Sequence, residues 1–405
     1  MCLIFKPFLI TLYKPIRFIL STPRRAMVSE GLTSPRSSPP RTEDAKSYNR
    51  LKLATGITSS LLSFVLLVTL VAAPAGRSLA RWCAMACPDP YAALLVFACS
   101  VGILQSAVTL PLAWFSGFYL EHRFALSNQS AARWALERLK GLALGAPLAA
   151  VVFCILYFCL GRFGSLWWLP VGAALSLISV ALVRVAPVLI MPLFYRFTPI
   201  REGTLRERIV RLCESAGVHV EGVFSFNLSK NTRKANAAFT GIGRSRRIIL
   251  GDTLVKNFSE EEIETVFAHE LGHYRFGHIR TGILTGMVST FAGLYFAARL
   301  YQWTAGLLHF SSVTDLAALP LLAILLSLFG LVTTPVGNMI SRYHERQADA
   351  YAVRTTGNRD AFASALRKLS AMNLADPDPH PLIEFMFYSH PPVAKRIRAL
   401  EPGHT

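Results

Sequence analysis

The chain has 405 residues with a mean hydropathy of +0.40, 52% hydrophobic and only 16% charged, where a soluble chain carries about a quarter charged. That composition excludes an ordinary soluble enzyme of two or three domains and indicates a multi-pass membrane protein. The net charge of +18, from 42 Lys plus Arg against 24 Asp plus Glu, fits the cations that membrane proteins retain on cytoplasmic loops, so no nucleic-acid partner is expected.

Residues 1–50 form a basic, Ser/Pro-rich segment opening on an apolar piece at 3–20, which Lys6, Lys14, Arg17 and two prolines interrupt. Such a piece suits an interfacial helix or a poor span. Residues 21–50 hold little that could build a core and read as a disordered basic linker. Six apolar windows follow at 54–74, 91–116, 141–160, 167–192, 281–300 and 316–337, each long enough to cross a hydrocarbon core of about 30 Å as a helix. Four lie in an N-terminal transmembrane region, 51–195, and two in a second region, 281–337. Of the seven cysteines, Cys83 and Cys87 share a short loop between spans and could pair in an oxidising compartment. Gln105 and Arg184 fall inside spans, where polar groups are expensive against lipid, and are expected to face protein or a wet interior.

Cations cluster before the first span and after the second, whereas the loops at 75–90 and 161–166 are poorer in them. Positive-inside bias therefore assigns the polar segments 196–280 and 338–405 to the cytoplasm, of a bacterial inner membrane or a eukaryotic endoplasmic reticulum. Within the first, RIVRLCESAG has helical periodicity and GVFSFNL alternates as a strand. NAAFTG and RRIIL, separated by Ile-Gly-Arg-Ser, predict a β-hairpin with Gly243 in its turn. A helix is predicted from Ser259, because Ser-Glu-Glu-Glu supplies an N-cap hydroxyl and Glu262 three residues on. The expected fold is mainly α: a polytopic helical membrane protein whose cytoplasmic catalytic segments carry a small β-hairpin or sheet.

The predicted helix contains His269, Glu270 and His273 as H-E-x-x-H. Residues four apart share a helical face, so both imidazoles can bind one Zn²⁺ while the glutamate addresses a water activated there. The plainer reading is a helix surface that happens to carry His and Glu. A catalytic zinc wants three protein ligands and an open position. Glu345 is the best third candidate, with Asp349 four residues on as a hydrogen-bond partner for a ligand imidazole, although both could be solvated helix residues. His278 and His344 are rival ligands.

The ordered landmarks SYNRLK, LPLAWFSGFYLEHRFALSNQS, VAPVLIMPLFYRFTPIREG, ANAAFTG with RRIILGDTL, HELGHYRFGH, SRYHERQADAYA and YSHPPVAKRIRAL, from about residue 47 to 400, resemble the CAAX prenyl protease 1 family. These are integral-membrane zinc endopeptidases that cleave prenylated C-terminal motifs and in some members serve membrane-protein quality control. The resemblance implies one zinc per chain held by His269, His273 and Glu345, Glu270 as general base, and Asp349 behind a ligand. It also implies a substrate-backbone contact at Asn236 and roles for His390 and Arg396 at the substrate or transition state. For Asn236 the alternative is a strand-edge residue, and for His390 and Arg396 a helix cap and a solvated basic helix. Family members carry five spans ahead of the zinc motif, against four firm ones here and the piece at 3–20. The expected partners are membrane lipid and a polypeptide substrate, prenylated or not; an inactive zinc-stabilised transporter or scaffold is the competitor from another class.

Overall fold

The computed structural model describes residues 42–200, 202–218, 222–240 and 247–401. The apolar piece at 3–20 and the hairpin turn at Gly243 lie outside these residues. Among the described residues, six long apolar helices occupy the predicted spans and extend beyond them at one end or both: Thr42–Ala72, Pro90–Arg123, Ala131–Arg162, Gly164–Phe194, His278–Leu307 and Leu316–Thr356. Four precede the polar segment, as the apolar windows predict.

The regular α-helical parts of these spans are α1 (Thr42–Ala72), α3 (Pro90–Trp114), α4 (Ala131–Arg162), α5 (Trp168–Val185), α9 (His278–Leu307) and α10 (Leu319–Thr356). They contact one another in a closed cycle, α1 to α3, α4, α5, α9, α10 and back to α1. Helix α1 starts inside the expected linker, so residues 42–50 correct that expectation. Tertiary contacts order them: Ala45 and Tyr48 pack with Leu120, Leu126 and Leu374, and Asn49 donates to the Leu374 carbonyl. The loop expected at 75–90 contains a helix of its own, α2 (Pro74–Ala86), with Trp82 and Met85 exposed. Cys83 and Cys87 are free thiols at its end. Gln105 donates to the Ser63 hydroxyl on α1, an interhelical bond that accounts for its place in a span, while Arg184 is exposed on α5.

A buried ion-pair group ties the spans to the polar segment. Glu121 pairs with Lys52 and accepts from Tyr48 Oη at 2.6 Å, and Lys234 Nζ reaches its other oxygen at 2.9 Å. Replacing Glu121 by Ala would leave two ammonium groups facing each other without a carboxylate, and removing one partner of a buried pair costs about 3–5 kcal/mol. The expected result is a clearly lowered thermal midpoint in detergent; an unchanged midpoint would show that the group is solvated.

The polar segment folds as helices over a four-stranded sheet. Helix α6 (Thr204–Ser215) buries Leu205, Ile209, Leu212 and Cys213, the periodic positions seen in the sequence. The strands are β1 (Phe197–Pro199), β2 (Gly222–Phe226), β3 (Ala237–Thr240) and β4 (Arg247–Gly251), in the order β1-β2-β4-β3. β3 and β4 pair antiparallel, Ala237 opposite Leu250, as the hairpin prediction requires. The parallel pairing of β2 with β4 and the edge strand β1 are additional. After the short α7 (Asp252–Asn257), α8 (Glu260–Arg275) begins with the predicted capping box between Ser259 and Glu262. Glu262 also accepts from Ser364 and Lys368 of α11 (Arg359–Asn373), which locks the two helices together. Ile263, Phe267, Ala268 and Leu271 of α8 enter one core with Ile248, Leu250, Phe362 and Ala365. The chain closes with α12 (Pro381–Phe387) and α13 (Val393–Arg398).

Candidate metal centre

Three elements converge where α8 packs against α10. Gly272 lies at this approach: a Cβ there would stand 3.1 Å from Ala348 Cα and 3.2 Å from Tyr351 Cβ, tighter than ordinary contact, so glycine lets the two helices come this close. One turn apart on α8, His269 Nε2 and His273 Nε2 stand 3.2 Å from each other. Glu345 completes the triangle, with Oε2 3.5 Å from His269 Nε2 and Oε1 3.3 Å from His273 Nε2. A tetrahedral zinc bonded at about 2.0–2.1 Å holds neighbouring ligand atoms about 3.3–3.4 Å apart. The three observed separations match those edges, and the donors are the nitrogen and oxygen types zinc accepts. Glu345 is 4% exposed, yet its Oε2 has no hydrogen-bond donor among the described residues. A buried carboxylate oxygen without a donor costs stability, and a metal ion in the triangle would satisfy it directly. The residues therefore fit the metal.

The tautomer of His269 is set from behind. Asp349 Oδ1 lies 2.8 Å from His269 Nδ1, so that nitrogen donates and Nε2 keeps its lone pair for the metal side. Arg396 grips the same carboxylate with two bonds, Nη2 to Oδ1 at 2.6 Å and Nε to Oδ2 at 2.8 Å. Its Nη1 stands 3.6 Å from Glu345 Oε2. His390, from the turn between α12 and α13, places Nε2 3.2 Å from Glu345 Oε1, with its Nδ1 2.9 Å from the Ser389 hydroxyl. The turn is held because Arg342 of α10 donates to the carbonyls of Glu384 and Tyr388, at 3.1 and 2.6 Å. Arg396 and His390 are thus brought to the centre by residues more than forty positions away in sequence.

Glu270 is half-buried and electrostatically coupled to His269, His273, Glu345 and Arg396; burial is the main cause raising its carboxyl above the ordinary value. Asn236 is exposed and stands just ahead of β3, its carbonyl accepting the Gly251 N–H at 2.8 Å. β3 ends the sheet, packs against α8, and has one edge unpaired among the described residues.

The two rival histidines do not join the triangle. His278 lies behind His273, Nδ1 to Nδ1 at 2.9 Å, and His344 stacks on His278 with ring centroids 4.0 Å apart. The reason is the backbone reversal at Gly277, whose φ of +68° ends α8 and starts α9 at His278. Gln347, which His278 contacts through Nε2 at 3.0 Å, carried no signal in the sequence.

Residues 199–402 match peptidase family M48, and residues 33–196 match the CAAX prenyl protease N-terminal region described as five membrane helices. The metalloprotease YhfN of Bacillus subtilis, itself uncharacterized, is 30% identical over 361 residues, covering 88% of this chain and 84% of its own length. CAAX prenyl protease 1 of Saccharomyces cerevisiae is 32% identical over 326 residues, 75% and 71% of the two chains. The crystal structure of S. mikatae Ste24p superposes with a TM-score of 0.77 at 26% identity, covering 89% of each chain. An inactive transporter or scaffold does not agree with these matches. The chain belongs to peptidase family M48, as a multi-pass integral-membrane metalloprotease with the CAAX prenyl protease type of N-terminal membrane region.

Proposed function

We propose that His269, His273 and Glu345 hold one zinc ion and that the enzyme is an endopeptidase acting on membrane-associated polypeptides, including prenylated C-terminal CAAX-type ones. The observation that carries this is the triangle of ligand atoms at 3.2–3.5 Å with an undonated carboxylate oxygen at one corner. Zinc bound there supplies a Lewis acid for the scissile carbonyl and a water acidified toward a pKa of about 7. Glu270 accepts the proton of the attacking water and passes it to the leaving amine; its raised affinity for a proton suits that shuttle. His390, beside Glu345, donates a hydrogen bond to the oxyanion as it forms, and Arg396 adds positive potential while holding Asp349. The unpaired edge of β3 holds the substrate as an added strand, with Asn236 contacting its backbone. By the distribution of Lys and Arg, the catalytic segments lie on the cytoplasmic side.

A second reading is prenyl-independent cleavage of membrane proteins, as in quality control. YhfN, which matches over 88% of the chain, is described only as a metalloprotease, with no CAAX substrate in its description. Cleavage of a farnesylated CAAX peptide, its unmodified twin and an unfolded membrane protein separates the two. A strong preference for the farnesylated peptide is expected under the first reading, and equal cleavage of the twins overturns it in favour of the second. Hydrolysis that survives chelation and does not respond to zinc readdition would overturn both.

A further inference from the structure

We propose that His278, backed by Gln347, is a positioning residue that fixes which nitrogen of His273 faces the metal. The inference rests on the reading of His273 as a ligand and extends it one residue outward.

The reversal at Gly277 brings His278, the first residue of α9, back over the end of α8. Its side chain is buried, with the ring stacked on His344, centroids 4.0 Å apart and planes 11° from parallel, and Phe276 stacked at 5.7 Å. These rings leave it little rotational freedom. Its two nitrogens then have one partner each: Nε2 lies 3.0 Å from Gln347 Oε1, and Nδ1 lies 2.9 Å from His273 Nδ1. The same amide lies against Tyr343, its Nε2 donating to the hydroxyl at 3.3 Å.

Hydrogen-bond direction follows from this chain. A carboxamide oxygen only accepts, so His278 Nε2 carries the hydrogen. Two ring nitrogens 2.9 Å apart share a single hydrogen, and with the His278 hydrogen on Nε2 the shared one belongs to His273 Nδ1. His273 Nε2 is left with a lone pair, directed at His269 Nε2 and Glu345 Oε1, 3.2 and 3.3 Å away. The two ligand imidazoles are thus oriented by different devices. His269 leans on the Asp349 carboxylate, whereas His273 leans on an uncharged imidazole and amide, which orient it without adding another negative charge beside Glu345. Groups behind a ligand imidazole in this way typically alter metal affinity by about 10–100-fold.

The test is zinc affinity of the full chain in detergent, measured by competition with a chelating indicator. H278F keeps the stacked ring and removes both nitrogens, and is expected to bind zinc about 10–100-fold more weakly. H278N carries a side-chain oxygen where Nδ1 stood and is expected to recover most of that loss, which a purely space-filling role would not produce. His273→Ala is measured beside them. Wild-type protein that takes up no zinc, or His273→Ala with undiminished affinity, overturns the ligand assignment itself. With wild type and His273→Ala behaving as ligands predict, the role of His278 alone is overturned if H278F binds as tightly as wild type. It is equally overturned if H278N is as weak as H278F and both show the wild-type metal-free melting temperature.

Discussion

Glu270→Gln is expected to bind zinc with wild-type stoichiometry and to lose nearly all peptide hydrolysis. The substitution is isosteric, removes no ligand atom, and leaves the triangle of His269, His273 and Glu345 as it stands. What it removes is a carboxylate that interacts electrostatically with all three of those residues without itself being a corner of the triangle. General acid–base catalysis of this kind is worth about 10²–10⁴ in rate, or about 3–5 kcal/mol of transition-state stabilisation. Burial is the largest influence on Glu270 and favours its protonated form, so a proton taken from water can be kept until the amine departs. An amide at the same place can hydrogen-bond to water but cannot take its proton. Metal analysis alongside single-turnover hydrolysis checks the expectation, and a zinc-loaded variant with wild-type turnover would contradict it.

Glu345→Ala is expected to abolish stoichiometric zinc and, with it, activity. Loss of a ligand should exceed the roughly 10–100-fold penalty typical of groups behind one. The polypeptide should still fold around the centre, because α8 and α10 are held by packing at Gly272 and Ala348 and Arg396 retains its two bonds to Asp349. The metal-free variant is even relieved of a buried carboxylate oxygen that lacks a donor. The measurement is zinc content after size exclusion, with the melting temperature recorded with and without added zinc. Wild-type protein should melt higher with zinc, since a ligand that binds only the folded state stabilises it, whereas the variant should not respond. A variant that retains one tightly held zinc would remove Glu345 from the centre.

Local patterns made much of the architecture legible before any coordinates. Hydropathy located the six long apolar helices among the described residues because a spanning helix need only satisfy its own backbone in lipid, a requirement written in about twenty consecutive residues. The start of α8 was legible for a similar reason, since Ser259 and Glu262 cap a helix within one turn. Helical ends beyond the apolar windows were not, because residues such as Ala45 and Tyr48 are ordered by partners from distant segments. Nor was the parallel pairing of β2 with β4, which joins strands through a crossover and leaves no turn signature between them.

The candidate site divides along the same line. By itself the sequence determined that His269, Glu270 and His273 share one helical turn, because a spacing of four is a property of the helix and of nothing beyond it. The third corner was only a candidate, standing on a helix reached after two further bilayer crossings. The tertiary structure decided that Glu345 meets the imidazoles, through the close approach of Gly272 to Ala348, and that His278 turns back behind His273 at Gly277. Those outcomes depend on how separate helices pack, and packing is set by shape and by every neighbour at once.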